Sequence, residues 1–196
     1  MKAALALLAN TEVHNFVRQL AWTIHQKYHI GIDASRLPPH VSLKQPFAVS
    51  DLPALELYMH ELADSIAPVE VALADLQLVQ ATMAGQETGI LWFDVRETPQ
   101  LRHLHRRICD ELAARFGNTQ ARFDGAEYHF HMTIALGSQP LSVYQAMYKE
   151  VSSKPVNLRY LAQELALFVY DDEANLNGGY MTYRILPLTG KDDGGA

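Results

Sequence analysis

Apolar positions along this chain recur with two periods, and the switches between them divide it into helices and strands. Val13, Val17, Leu20 and Ile24 fall at helical spacing, so residues 11–28 are predicted as a helix with Thr11 as its N-cap. Asp51 opens a second helix to about Ile66, carrying Leu55, Tyr58, Leu62 and Ile66 on one face. Thr98 and Pro99 begin a third, with Leu101, Leu104, Ile108 and Leu112 as its buried stripe and Gly117 as its stop. A fourth covers Pro140 to Val151. The segments between them are predicted as strands: residues 40–47, 69–79 with a break near Asp75, 89–95, 128–136, 165–170 and 180–186. Pro38-Pro39 closes a loop, residues 83–88 form a hairpin link, and residues 175–179 are turn chemistry. Trp92 and Phe93 are consecutive on a strand, so one faces the core and the other faces out. The opening apolar run, Met1 to Ala9, fits either a buried strand or a very short signal peptide. Thr11 follows at once with no spacer, which favours the strand.

After that strand the order is α-β-α-β-β, twice. The duplication predicts two similar lobes of α+β architecture. At 196 residues and 48% hydrophobic, the chain suits one domain, residues 1–188, with a disordered tail over residues 189–196. A net charge of −6 argues against tracking long nucleic acid, because that binding draws on basic excess and counterion release. No stretch is long enough to span a membrane. Cys109 is the single cysteine, so an internal disulfide is excluded; it reads as core filler in a reducing, cytoplasmic protein. The expected state is a monomer.

Two strings carry chemistry: His40-Val41-Ser42-Leu43 and His131-Met132-Thr133-Ile134. On a strand, alternate side chains share a face, so each string presents an imidazole and a hydroxyl together and anchors its apolar residues behind. Paired imidazoles suit displacement at phosphorus. One takes a proton from the attacking oxygen and the other gives a proton to the leaving oxygen. The hydroxyls of Ser42 and Thr133 donate hydrogen bonds to non-bridging oxygens as charge develops there. Such a site needs neither metal nor cofactor.

With these motifs the chain resembles the 2H phosphoesterase superfamily, within it the 2′-5′ RNA ligase and RNA 2′,3′-cyclic phosphodiesterase group. The resemblance lies in residues 38–43 and 129–137. It implies a bilobal fold of two mostly antiparallel sheets facing a central cleft, with helices outside. It also implies catalysis by His40 and His131 and phosphate binding by Ser42 and Thr133. In hydrolysis, His131 would be the base and His40 the acid. The implied reaction is metal-independent hydrolysis of 2′,3′-cyclic phosphates on small nucleotides or RNA ends, with 2′-5′ ligation as its reverse. Ala135-Leu136-Gly137 stands where many ligase-like members carry an arginine, so a small cyclic nucleotide or short RNA terminus is the expected partner.

Strand parity adds His129, Lys44 and Tyr170 as candidate cleft-lining residues, with Tyr170 and Tyr180 able to stack on a base. Arg102, His103, His105, Arg106 and Arg107 read as a solvated helix face. Two rivals remain: a nucleotide or RNA-end binding module without catalysis, and a metal-dependent hydrolase using His129 and His131 with a carboxylate such as Glu127.

Overall fold

The computed structural model describes residues 1–31, 33–137, 139–152, 156–171 and 179–191. Among the described residues, four α-helices form where the periodicity places them. Helix α1 (Thr11–Tyr28) is capped by Asn10, one residue before the expected Thr11. The Asn10 side chain accepts from the Val13 N–H, satisfying an orphan donor of the first turn. Helices α2 (Leu52–Ser65) and α3 (Pro99–Phe116) are capped by Asp51 and Thr98, and α4 (Leu141–Val151) follows Pro140. No helix among the described residues is long and apolar enough to cross a membrane.

Among the described residues, eight strands build two antiparallel sheets. Strands β1 (Lys2–Leu8), β2 (His40–Ala48), β7 (Glu164–Tyr170) and β8 (Tyr180–Pro187) form one, in the order β2-β1-β7-β8. Strands β3 (Val69–Met83), β4 (Gln86–Val95), β5 (His131–Leu136) and β6 (Arg159–Ala162) form the other, in the order β5-β4-β3-β6. The opening run is therefore the strand β1. Ala3, Leu5 and Leu7 join the main core while Ala6 and Leu8 join a second cluster on the opposite face, so both faces are buried and the sequence does not alternate.

The duplication is present but begins one strand earlier than the pattern suggests. The matching units are β1-α1-β2-α2 and β4-α3-β5-α4, each joining an antiparallel strand pair through an 18-residue helix. Each unit's next strands do not stay home: β3 pairs with β4 in the second sheet, and β7 pairs with β1 in the first. The four-residue β6, too short to show a period, was not expected. The β3–β4 link is a two-residue turn in which Ala84 and Gly85 both have positive φ, 50° and 78°. The predicted break near Asp75 is a bulge between Leu73 and Leu76 within one continuous strand.

The two motif strands, β2 and β5, are edge strands, and these edges meet at the centre of the molecule. Each carries a bulge on the residue after the motif hydroxyl, and β2 has a second register shift between Lys44 and Phe47. In β2 the register passes from Ser42 to Lys44 across Leu43; in β5 it passes from Thr133 to Ala135 across Ile134. The burial sequence over the first five residues is the same in both strands. The edge of β2 is then tied to the second half of the chain at three consecutive residues. Tyr128 donates its hydroxyl to the Ser42 carbonyl (2.9 Å), and His105 donates Nδ1–H to the Leu43 carbonyl (2.8 Å). The Lys44 ammonium pairs with Asp124 and donates to the Thr119 carbonyl (2.7 Å). One hydrophobic core, with residues of both sheets, continues beneath this seam.

The expected tail at 189–196 is corrected at its start. Thr189 and Gly190 hydrogen-bond to the carbonyls of Ala63 and Ile66 at the end of α2, where a Cβ on Gly190 would meet the Ile66 backbone at 2.5 Å. Residues 192–196, and 175–178 of the expected turn, lie outside the described residues.

The Lys44–Asp124 pair is buried, so removing one partner strands the other charge. Asp124→Ala is expected to cost about 3–5 kcal/mol of folding stability in urea unfolding. A loss below about 1 kcal/mol, the range of an exposed pair, would show that the pair does not hold the seam.

Candidate active site

A cavity of about 860 Å³ lies between the two sheets and is lined by His40, Ser42, His131 and Thr133 together. Sequence separation is erased by the meeting of β2 and β5. Each histidine is the first residue of its strand, and its hydroxyl companion follows on the same face, as alternation requires.

The two imidazoles are held in the same way. His40 Nδ1 lies 2.8 Å from the Pro38 carbonyl, and His131 Nδ1 lies 2.9 Å from the His129 carbonyl, in each case two residues back along the chain. A carbonyl only accepts, so Nδ1 carries the proton in both rings and Nε2 is left with its lone pair. Both proton-accepting atoms therefore belong to fixed tautomers. Burial lowers the proton affinity of both rings. His40 falls to about 4, with the neighbouring His131 and the charge of Arg18 adding to the effect. His131 is lowered too, but the Asp94 carboxylate opposes the fall. The surroundings differ in kind as well. His40 meets the edge of Phe168 (4.7 Å between centroids), whereas His131 stacks on Trp92 (4.3 Å). Trp92 donates its indole N–H to Asp94 (2.9 Å), so the platform under His131 is itself anchored. Phe93, its neighbour, is in the core.

Tyr170 lines the cavity and stacks with Tyr180 across the β7–β8 pair, with centroids 5.9 Å apart. Burial pushes the Tyr170 hydroxyl up to about 12, so it stays protonated as a donor. Two other expectations are corrected. Lys44 does not line the cleft: the Leu43 bulge reverses the alternation, turning Lys44 inward to Asp124 and bringing Gln45 to the cavity. His129 keeps the parity of His131 but precedes the start of β5. Its side chain is 58% exposed and hydrogen-bonds through Nε2 to Asp94 (2.9 Å). His129 and His131 do not gather with a carboxylate into a three-donor cluster among the described residues. Among the described residues, the three-donor cluster is elsewhere, at His105, Cys109 and Asp124. There Lys44 holds Asp124, and both His105 nitrogens are bonded to the backbone of Leu43 and Gly125.

Within the basic run of α3, His105 is not solvated but fully buried against the motif strand, and Arg102 pairs with Glu97 and reaches the Tyr128 carbonyl. One cavity residue was not anticipated at all. Arg18 of α1 lines the same space and donates to the Leu37 carbonyl at 2.6 Å.

The sequence pattern that defines the 2′-5′ RNA ligase superfamily matches residues 10–174, which include both motifs. The chain belongs to that superfamily. A protein of Geobacillus sp. (strain WCH70) that carries a provisional phosphoesterase name is 23% identical over 193 residues, covering 98% of this chain and 99% of the relative. TT0787 of Thermus thermophilus superposes with a TM-score of 0.62 at 14% identity, covering 97% of this chain and all of that one. E. coli LigT complexed with 3′-AMP superposes with a TM-score of 0.52 at 18% identity, covering 96% of this chain and 98% of LigT. The fold is thus that of the 2H phosphoesterases: two antiparallel sheets about a cleft, with the family's two His-x-Ser/Thr motifs on facing edge strands.

The held-neutral state of His40 has a direct readout. In the free protein its ring should titrate near pH 4 by NMR, well below the usual 6.5. Between those values the unfolded chain binds more protons than the folded one, so folding stability should decline as pH drops from about 6.5 to about 4. A midpoint near 6.5, with stability flat across that window, would contradict the burial assigned to His40.

Proposed function

We propose that this protein is a metal-independent phosphodiesterase that opens 2′,3′-cyclic phosphates on small nucleotides or short RNA ends. The observation that carries this reading is the pairing in one cavity of two imidazoles, each with Nδ1–H tied to a carbonyl and Nε2 carrying the lone pair, beside two hydroxyls. In the proposed step, one Nε2 takes a proton from water as its oxygen attacks phosphorus. The P–O bond to one ribose oxygen breaks, and the other imidazole, protonated, gives that oxygen a proton. Ser42 and Thr133 donate to the non-bridging oxygens. With the 5′-hydroxyl of a second ribose attacking in place of water and the 3′-oxygen leaving, the same groups would form a 2′-5′ linkage.

The unequal surroundings of the two rings bear on their roles. Burial holds His40 down to about 4, with His131 and Arg18 adding to the effect. The less deeply buried His131 is lowered by burial and by His129 against the opposing Asp94 carboxylate, so a single proton shared by the pair resides on His131. His40 is then the base and His131 the acid in hydrolysis, the reverse of what the family resemblance implies. LigT has been crystallised with 3′-AMP and with NADP+, which supports a nucleotide-sized ligand for the corresponding space here. The net charge of −6 and the absence of an arginine after the second motif favour a small nucleotide over a long RNA. A cytoplasmic monomer completes the reading. The Cys109 thiol, pushed up to about 11 by burial, stays protonated and unreactive.

His40→Ala and His131→Ala should each lower kcat on a 2′,3′-cyclic mononucleotide by roughly 10²–10⁴-fold, the usual worth of a positioned proton-transfer group. The wild-type kcat/KM should be bell-shaped in pH, each substitution should remove one limb, and EDTA should leave the rate unchanged. Wild-type rates in either variant would refute the pairing. Loss of activity in EDTA, restored by a divalent cation, would favour the metal-dependent alternative. Nucleotide binding without turnover would favour the binding module.

A further inference from the structure

We infer that Arg18 is the phosphate-binding cation of this cavity, gripping a non-bridging oxygen of the phosphate on the His40 side. The inference rests on the reading that the cavity accepts a phosphate ester. Among the described residues lining the cavity, Arg18 is the one that carries a permanent positive charge. The other basic candidate on the motif strand, Lys44, is spent on Asp124, and Leu136 stands near the end of β5 where no arginine follows. The guanidinium is partly buried, and among the described residues no carboxylate forms an ion pair with it. A half-buried arginine without a carboxylate is costly to maintain unless an anion visits.

Its placement is fixed together with that of His40. Arg18 donates to the carbonyl of Leu37 and His40 donates to the carbonyl of Pro38, consecutive groups of one short segment. The next carbonyl, that of Pro39, accepts from Ala9 and pins the segment to the end of β1. The rigid Pro38-Pro39 pair therefore sets the guanidinium and the imidazole at a constant offset. A guanidinium has five donors in a planar fork, and one of its nitrogens is committed to Leu37. The remainder provide the two-pronged geometry that a phosphate matches.

The arrangement also couples binding to proton uptake. With the cavity empty, the Arg18 charge opposes protonation of His40. A bound phosphate neutralises that charge and relieves this part of the opposition, so His40 accepts a proton more readily when substrate is present.

Binding of a nucleoside 3′-monophosphate and of the same nucleoside without phosphate should be measured by calorimetry for wild type, Arg18→Gln and Arg18→Lys. Arg18→Gln should weaken the monophosphate by about 10- to 100-fold, the worth of a hydrogen bond to a charged group, and leave the bare nucleoside unchanged. Arg18→Lys should fall between, keeping the charge and losing the fork. The NMR titration midpoint of His40 in the free protein should rise in Arg18→Gln, a shift that loss of the Leu37 hydrogen bond alone would not produce. Unchanged monophosphate affinity in a folded Arg18→Gln, or equal weakening of both ligands, would overturn the inference. If Arg18→Gln does not fold, wild-type affinity in Arg18→Lys overturns it instead. Cyclic-nucleotide turnover by the same wild-type preparation is scored separately, so a protein that binds phosphate through Arg18 without turnover would sink the proposed reaction and leave this inference standing.

Discussion

The architecture depends on how the edge of one sheet is fastened to the other half of the chain. Ser42, Leu43 and Lys44 each bond across the seam, to Tyr128, His105 and the Asp124–Thr119 pair respectively. An edge strand ordinarily leaves its carbonyls to solvent or to a stray partner. Here side chains from the second half of the chain satisfy them, and Tyr128 lies only three residues before His131. The fastening is therefore also the ruler that sets one motif against the other. Other polar contacts join the halves farther away, such as Lys27–Glu150 and Tyr58–Glu111, but these three lie on the motif strand itself.

The sequence made the chemistry more legible than the geometry. Helix boundaries followed from caps and periodicity because Asp51, Thr98 and Gly117 act locally. The motif histidines followed from strand alternation, which is also local. What alternation could not reveal was the pair of bulges at Leu43 and Ile134, since a bulge leaves no residue signature when the bulged position is an ordinary apolar side chain. Parity reasoning therefore remained right at Ser42 and failed two residues later at Lys44. Arg18 was missed for a related reason. It borders the apolar stripe of α1, where an arginine commonly extends its stem over the core and its head into water. Only the loop carrying Leu37, remote in sequence, converts that position into a cavity wall. His105 was hidden among four basic neighbours, although it is fully buried.

The duplication explains why the two halves look equivalent, and the differences between them explain how they divide labour. Both rings are oriented by a carbonyl two residues back, and both precede a hydroxyl and a bulge. Yet one sits beside a cation and an apolar ring edge, the other on an indole whose N–H is held by a carboxylate. Similar scaffolds with different burial and different neighbours give two groups of the same type unequal proton affinities, which a site needs if it is to use one as base and the other as acid. The overall acidity of the protein makes this local arrangement more important. Attraction for a phosphate cannot come from the surface field and must come from within the cavity.

The central claim is that His40 and His131 address one phosphate from two sides. A crystal structure with a nucleoside 2′- or 3′-monophosphate bound tests it most directly. The account predicts the phosphate between the two Nε2 atoms, with the Ser42 and Thr133 hydroxyls on its remaining oxygens. A phosphate held by one imidazole, with the other turned away or too distant to touch it, would contradict the account.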